Sequence, residues 1–455
     1  MILADGKVYD SAAQGEILKG LERKINATRA EGQLLPETVI TAVEILRNKI
    51  LAGEFAERIN ELTDSGVYGA ENLQEQIAQA AELLKREHLE YKLQIELGSG
   101  TSGCGGDKYK FQSRIQTRIM PLGTLFHIAA GNMDGLPVYS VLEGLLAGNV
   151  NILKLPQADK GLSVEILVEL IKIEPGLAPY LYVFDTPSED VEAMRQMADM
   201  SDGIVVWGGD EAVRAVRHMA NPGVKLIEWG HKLGFAYLSG YEDKERELMA
   251  LAEHIAKTRQ LLCSSCQVIY IDTEDMEELY GFCQEFLPYL QRAADKYMQT
   301  ESDTIGTRAE LSLRRYSDEV ENVFLREQGK KAAASSVAER RRVWYGRGCS
   351  LTATGDSALE CSYMFGNCLV KRLPRDRVMM QLRRHKGVLQ TVGLICDRES
   401  REELTDLLAA CGLTRIMRAG SQSDAFVGEA HDGEYALRRY VRAVDVERDL
   451  CISHK

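Results

Sequence analysis

Two cysteines three residues apart, Cys263 and Cys266, lie in the segment of this sequence with the clearest capacity for chemistry. They belong to the polar stretch 258–267, directly before the apolar run 268–271. A turn that precedes a buried strand can expose a nucleophile while a rigid element holds its backbone. We therefore predict that Cys263, within the turn, is the nucleophile, and that Cys266 is a buried thiol at the start of the strand.

The same pair has other interpretations. A Cys-x-x-Cys pair can form a redox couple or half of a zinc site, but no second pair of this kind and no histidine pair accompanies it. Cys263 could also be an inert, packed thiol. We predict no metal site and keep Cys263 as the residue to explain.

Length and composition limit the classes of function. A chain of 455 residues with 45% apolar residues suggests two or three domains with substantial cores. No uninterrupted apolar window is long enough to span a membrane, and the first residues lack the features of a secretory signal, so we expect a cytoplasmic protein. A net charge of −13 argues against nucleic acid or an anionic membrane as the main partner.

The elements that must position these cysteines follow an alternating pattern after a helical beginning. Apolar spacing predicts helices over 39–62 and 73–97. From residue 119 onward, apolar strands alternate with helices, which implies right-handed crossovers and a doubly wound parallel sheet. Cys263 then opens a second α/β region, and we expect the two regions to meet at a cleft. The predicted domains are 1–97, 98–240, 241–425 and 426–455.

Polar residues follow several of the predicted strands. Asn132 comes after the strand 122–130, where ligands bind in open α/β sheets, and its amide could donate to an oxygen that becomes negative. Lys154 ends the strand 150–154, where an anionic cofactor group would stabilise it. The alternatives are a turn-forming asparagine and a surface lysine.

Two further strand ends have candidate residues. Gly208 and Gly209 separate the strand 203–207 from a helix, so backbone amides could approach a pyrophosphate there, although a simple tight turn has the same pattern. Glu228 ends the strand 224–228 and is either a general base or the ion-pair partner of Lys232.

The order of these motifs resembles the aldehyde dehydrogenase superfamily. Pro121-Leu-Gly begins the strand that leads to Asn132, and an Ala-Gly-Asn turn precedes Lys154. The double glycine, Glu228-x-Gly230-x-Lys232 and Gln260-x-x-Cys263 follow in succession. The chain is most similar to the LuxC-type fatty acyl-CoA reductases of bacterial luminescence, through the cysteine turn and the segments 389–394, 431–433 and 440–445.

That resemblance implies an aldehyde-dehydrogenase-like α/β fold. Its parts would be a Rossmann-like parallel-sheet cofactor domain, an α/β catalytic domain with Cys263, and a small oligomerisation arm that makes a homo-oligomer. It also implies NAD(P)H-dependent reduction of an acyl-CoA or acyl thioester to an aldehyde through an acyl-cysteine. In that mechanism Asn132 and the Cys263 backbone N–H form the oxyanion hole, Gly208, Gly209 and Gly230 lie at the cofactor, and a partner protein could transfer the acyl group.

Cofactor preference and reaction direction have alternatives. Gln157 stands where aldehyde dehydrogenases usually have a glutamate that bonds the adenosine ribose; it lacks the charge that would repel a 2′-phosphate, which favours NADPH over NADH. Glu228 stands where hydrolytic relatives have a base, so aldehyde oxidation to an acid is the alternative activity. A non-catalytic partner subunit with the same fold is a further alternative.

Overall fold

The protein is described from a computed structural model that covers residues 1–64, 80–98, 114–129, 135–157, 159–298, 312–313, 316–317, 320 and 341–447. The described chain divides into two compact units. The first unit contains the described residues of 1–62, 76–230 and 425–447, and the second is built mainly from 231–424. The division falls after Gly230, and the described residues 1–62 and 425–447 both belong to the first unit.

The first unit is organised around a seven-stranded sheet in the order β2-β1-β6-β5-β4-β7-β8. Strands β4 to β8 are parallel, whereas β1 pairs antiparallel with β2 and β6. The chain crosses from β4 to β5 and β6 on one side and returns to β7 and β8 on the other, which is the predicted doubly wound topology. The strands are β1 Ile2–Ala4, β2 Lys7–Tyr9, β4 Thr124–Ile128, β5 Val150–Lys154, β6 Leu181–Phe184, β7 Gly203–Trp207 and β8 Lys225–Trp229.

Helices cover both faces of this sheet because alternate strand residues point to opposite sides. Leu125 and Leu153 face one apolar core, and their neighbours Phe126 and Ile152 face the other. The helices are α1 Gln14–Glu31, α2 Pro36–Leu51, α3 Ala56–Asp64, α4 Arg86–Leu97, α5 Leu136–Leu146, α6 Leu162–Ile173, α7 Val191–Asp199, α8 Asp210–Met219 and α13 Ala436–Arg439.

The second unit has its own seven-stranded sheet in the order β11-β12-β13-β10-β9-β14-β15. All of its strands are parallel except β11, which pairs antiparallel with β12. Its strands are β9 Leu233–Ser239, β10 Cys266–Ile271, β11 Arg342–Tyr345, β12 Ser350–Thr354, β13 Asn367–Arg372, β14 Leu389–Cys396 and β15 Arg415–Arg418. Its helices are α9 Lys244–Thr258, α10 Met276–Tyr297, α11 Arg375–Leu382 and α12 Arg401–Cys411.

A separate two-stranded antiparallel ribbon joins β3 Ile115–Pro121 to β16 Val441–Glu447. Many of its side chains are exposed. The ribbon includes the part of the chain that the resemblance assigns to an oligomerisation arm. The strand β3 lies near the beginning of the predicted cofactor region, residues 98–240.

The predicted helix over 39–62 is wrong in one respect: it is two helices. The chain leaves α2 after Leu51 and turns at Gly53, whose φ of +86° is the left-handed conformation that glycine adopts readily. The predicted helix over 73–97 is also interrupted: residues 80–83 and Arg86–Leu97 are helical, residues 84–85 are not, and residues 73–79 lie outside the described chain. The N-terminal hairpin β1–β2, which continues the first sheet, is missing from the sequence-based interpretation because its strands are only three residues long.

Candidate active site

The cysteine turn connects the end of α9 to the start of β10. The helix ends at Thr258 and is followed by Arg259 and Gln260, two residues with positive φ of 49° and 63°, so the chain turns before it reaches Cys263. Cys263 is exposed, whereas Ser265 and Cys266 are fully buried. The predicted arrangement of an accessible thiol before a buried strand is therefore present.

Gln260 connects the two ends of this turn through buried hydrogen bonds. Its side-chain amide donates to the carbonyl of Cys266 at 2.9 Å, and its Oε1 accepts from the backbone N–H of Gly366 at 3.2 Å. The side chain of Gln267 donates back to the Gln260 carbonyl at 2.8 Å. A buried amide that satisfies its donor and acceptor in this way restrains the backbone around it.

The cysteine turn packs against Gly234, where the absence of a side chain leaves room for it. A Cβ at this position would lie 2.7 Å from the carbonyl oxygen of Ser264 and 2.6 Å from that of Ser265. Both obstacles are backbone atoms that cannot rotate away. Any other residue at the start of β9 would displace the cysteine turn.

Two side chains from the neighbouring part of the second unit reach the turn. Gln390, at the start of β14, donates from Nε2 to the Sγ of Cys263 at 3.5 Å. Ser423 and Ser264 share a hydrogen bond of 2.8 Å between their hydroxyl groups. Gln390 is only 4% exposed, so its amide is held at the sulfur by its surroundings.

The two thiols of the Cys-x-x-Cys pair differ in environment. Burial raises the pKa of Cys266 to about 12, and its Sγ donates to the carbonyl of Val268. A thiol with such a pKa is almost entirely protonated at neutral pH and is a poor nucleophile. Cys263 is exposed, as Cys266 is not, and a side-chain amide donates to its sulfur.

Lys154 lies at the carboxyl end of β5, between Ile128 of β4 and Phe184 of β6. It is 4% exposed, and its Nζ donates to the hydroxyl of Ser188 at 3.0 Å. Burial lowers the pKa of this lysine, which the charge of Glu189 partly offsets. A buried ammonium whose closest partner is a neutral hydroxyl favours a neighbouring anionic or oxygen-rich ligand.

The first sheet has its topological switch point between β4 and β7, since the crossovers leave these neighbours in opposite directions. Gly208 and Gly209 follow β7 and lead into α8. A Cβ at Gly208 would lie 3.0 Å from Ala212, whereas nothing lies within 4 Å of one at Gly209. Gln157 is exposed in the turn after β5, and Asn132 lies outside the residues that the structure describes.

Glu228 has an ion-pair partner that the sequence did not suggest. Its two carboxylate oxygens accept from Nε and Nη2 of Arg217 at 2.6 Å each, a bidentate pair. Lys232, the partner considered from the sequence, donates to the carbonyl of Gly387 at 2.8 Å. Gly230 follows directly after β8, and a Cβ there would meet only Val213, at 3.9 Å.

Neither a metal site nor a membrane-spanning helix is found in the part of the chain that the structure describes. There, no three side chains among histidine, cysteine, aspartate and glutamate are placed to hold a metal ion. Within the same ranges, no helix is both long enough and apolar enough to cross a bilayer.

The residues at the carboxyl ends of the parallel strands in the first sheet are suited to bind a nicotinamide dinucleotide. The residues available are the buried Lys154, the open backbone at Gly209 and the start of α8, all at the carboxyl ends of parallel strands, which is where such sheets bind dinucleotides. Fold and site together thus define a nicotinamide-dependent oxidoreductase of the aldehyde dehydrogenase type, with a cysteine in its second α/β unit.

Comparisons with known proteins agree with this class and narrow it. The model of the acyl-CoA reductase (LuxC) family matches residues 34–443, and the chain belongs to that family. It is an acyl reductase that forms an aldehyde from an acyl thioester with a nicotinamide cofactor. The predicted family, fold class and type of enzyme are confirmed.

Individual relatives are distant in sequence. The chain is 24% identical over 348 residues to the long-chain acyl-protein thioester reductase of Vibrio harveyi, covering 75% of this chain and 68% of that one. It is 26% identical to long-chain acyl-protein thioester reductase 2 of Photobacterium leiognathi over 347 residues, with the same coverage of the two chains.

Among solved structures, methylmalonate-semialdehyde dehydrogenase from Oceanimonas doudoroffii matches with a TM-score of 0.69 at 14% identity, covering 98% of this chain and 97% of that one. Aldehyde dehydrogenase 21 from Physcomitrella patens matches with a TM-score of 0.68 at 14% identity, covering 98% and 94%.

Proposed function

We propose that Cys263 is the nucleophile that accepts the acyl group from the thioester substrate. The observation that carries this proposal is the contrast within one turn: Cys263 is exposed beside an amide donor, and Cys266 is buried with a pKa raised to about 12. The Cys263 thiolate attacks the thioester carbonyl carbon, and the thiol of the donor leaves. The product of this half-reaction is an acyl-cysteine.

The second half-reaction converts this acyl-cysteine into an aldehyde. A bound nicotinamide supplies the hydride that the acyl carbon accepts. The resulting thiohemiacetal on Cys263 takes up a proton as it forms. It then collapses, so that the carbon–sulfur bond breaks, the aldehyde leaves, and the thiol is regenerated.

Charge develops on two atoms during these steps, and the chain has a donor for each. The amide of Gln390 is placed at the sulfur, where it stabilises the thiolate before attack and after collapse. We assign the oxyanion of the acyl group to Asn132 and to the backbone N–H of Cys263. Asn132 is assigned this role from its place in the sequence, after the strand β4.

We assign cofactor binding to the residues that follow β5, β7 and β8. Lys154 would bond ribose or phosphate oxygens, Gly208 and Gly209 would let backbone amides approach the pyrophosphate, and Gly230 would leave room beside them. The neutral, exposed Gln157 supports NADPH over NADH. A comparison of both cofactors in wild type and Gln157→Glu tests this preference, and an unchanged preference in the variant removes the argument.

Glu228 supports acyl reduction rather than aldehyde oxidation. Hydrolysis of an acyl-cysteine needs a base that activates water, and both oxygens of this carboxylate are taken up by Arg217. Reduction needs no such base. The proposed role of Glu228 is therefore to position α8 against β8 through Arg217.

The acyl donor and the assembly state follow from separate features. The curated relatives are named for acyl-protein substrates, which supports an acyl group delivered by a partner protein as well as by coenzyme A. Among the described residues, the β3–β16 ribbon is a sheet of two strands only, and the edges of such a sheet can pair with other strands. We propose that the ribbon pairs with that of a second copy.

Intact-mass measurement after incubation with an acyl-CoA tests the assignment of the nucleophile. Wild type and Cys266→Ala should each gain one acyl group, and Cys263→Ala should gain none. Addition of NADPH should remove the adduct and release an equal amount of aldehyde. Loss of the adduct in Cys266→Ala with retention in Cys263→Ala would reverse the assignment.

A further inference from the structure

The segment between α11 and β14 contains an unusual group of exposed cations. Arg383 and Arg384 lie in a short 3-10 helix and Lys386 follows it, and all three are exposed. The nearby arginines of α11 and β13 each have a carboxylate partner: Arg372 and Arg377 pair with Glu274, and Arg375 pairs with Asp272 and Glu403. Among the residues that the structure describes, Arg383, Arg384 and Lys386 have no such partner.

This group, which we call the basic patch, also has apolar surface beside it. Met380 is 59% exposed and Met379 is 38% exposed, at the end of α11 within one turn of Arg383 and Arg384. Flexible methionines next to unpaired cations are suited to bind a protein surface of mixed acidic and apolar character. A small anion would contact the cations and would gain nothing from the methionines.

The basic patch lies on the same edge of the second sheet as the nucleophile. It precedes β14, the cysteine turn precedes β10, and both strands run parallel to β9, which separates them. Hydrogen bonds connect the chain after the basic patch to β9 and to the cysteine turn. The backbone N–H of Leu233 donates to the Val388 carbonyl at 2.8 Å, and the side-chain amide of Gln390 donates to the Cys263 sulfur. Lys386 and Gln390 are four positions apart, so their backbones are separated by at most about 14 Å.

The net charge of the whole chain bears on what the basic patch could bind. At a net charge of −13, the protein as a whole repels other acidic proteins. A local group of unpaired cations next to the nucleophile would direct an acidic partner to that place. The partner that fits is one whose acyl thioester extends on a flexible arm.

We propose that the basic patch is the docking surface for an acidic acyl carrier protein, which delivers its acyl group on a pantetheine arm to Cys263. The proposal rests on the proposed function of Cys263. It goes beyond that function by naming the class of donor and the surface that recognises it.

Kinetics with three donors test the docking surface. The probes are a bacterial acyl carrier protein loaded with a long-chain acyl group, the same acyl group on coenzyme A, and the same acyl group on pantetheine, which has no phosphate. In Arg384→Glu/Lys386→Glu we expect KM for the acyl carrier protein to rise about tenfold, with KM for the other two donors unchanged. The matched control is Arg398→Glu/Arg418→Glu, which changes the charge equally at exposed positions near the opposite ends of β14 and β15 and should leave all three values unchanged.

The other outcomes separate the two proposals. An unchanged KM for the acyl carrier protein overturns the docking surface, and so does an equal rise for acyl-CoA, which would indicate recognition of phosphate. Turnover of acyl-pantetheine by the variant shows that it is folded. If wild type forms no acyl-cysteine even with acyl-pantetheine, the proposed function of Cys263 fails, and the docking proposal fails with it.

Discussion

The side-chain amide of Gln390 donates to the sulfur of Cys263 at 3.5 Å, although the two residues are 127 positions apart. A donor at this atom favours the charged form of the thiol, because a hydrogen bond to a thiolate is stronger than one to a neutral thiol. The contact gives the exposed cysteine a means of activation that the sequence did not reveal.

The first prediction concerns this contact. Removing the amide in Gln390→Ala should slow the alkylation of Cys263 at pH 7 by roughly three- to tenfold, because the thiolate loses a hydrogen-bond donor. The measurement is the rate of carboxymethylation at that pH, followed by mass spectrometry. The control is Gln381→Ala, which removes an amide that donates to Ser357 elsewhere in the same unit. An unchanged rate in Gln390→Ala would show that the amide only fills space.

Gly234 should be the most sensitive glycine of the site. Alanine there would meet the carbonyl oxygens of Ser264 and Ser265 at 2.6–2.7 Å, so we expect Gly234→Ala to cost about 2–3 kcal/mol of unfolding free energy and to alter the alkylation rate of Cys263. Gly281→Ala is the matched control, because this position within α10 has open space. It should stabilise the protein by about 0.5–1 kcal/mol. Equal effects of the two substitutions would contradict the steric argument.

The cysteine turn should weaken in acid through His254. Burial lowers the pKa of this histidine from 6.5 to about 3, and its Nε2 accepts from the backbone N–H of Cys266 at 3.3 Å, which requires the neutral ring. Between these two values the unfolded chain binds a proton that the folded chain does not. Stability is therefore complete above about pH 6.5 and is lost as the pH falls.

This dependence can be measured by urea unfolding at pH 7 and pH 5. Wild type should lose about 2 kcal/mol through His254 between these values. His254→Gln should lower stability at pH 7 and remove that part of the pH dependence, whereas His218→Gln, at an exposed position, should leave it in place. A pH dependence as steep in His254→Gln as in wild type would assign the acid sensitivity to other groups.

Glu228 should be dispensable for aldehyde formation. Because its carboxylate is held by Arg217 and reduction needs no hydrolytic base, Glu228→Gln should change kcat for acyl-CoA reduction by less than about twofold. Arg217→Gln removes the same ion pair from the other side and should behave alike. A loss above about tenfold in Glu228→Gln, with Arg217→Gln unaffected, would place the carboxylate in the chemistry.

Many strands and helices of both units could be predicted from the sequence because their signals are local, although β11, β12, β15 and α10 were not predicted. Val150–Lys154, Gly203–Trp207 and Leu389–Cys396 are apolar runs between polar turns, and Arg401–Cys411 repeats with helical spacing. The N-terminal hairpin escaped prediction because three-residue strands have too few positions for a pattern. The break in the predicted helix over 39–62 depended on Gly53, since glycine within a helical pattern signals a turn only weakly.

The sequence by itself therefore determined the fold class and the order of the motifs, and it predicts Cys263 rather than Cys266 as the nucleophile, because each depends on residues that are close together in the chain. Only the tertiary structure brought Gln390 to the sulfur, placed the turn against Gly234 and paired Glu228 with Arg217. These contacts join separate elements, and which of many amides, glycines and arginines meets a given group depends on strand order and register. Packing specifies that order, and no local pattern of residues contains it.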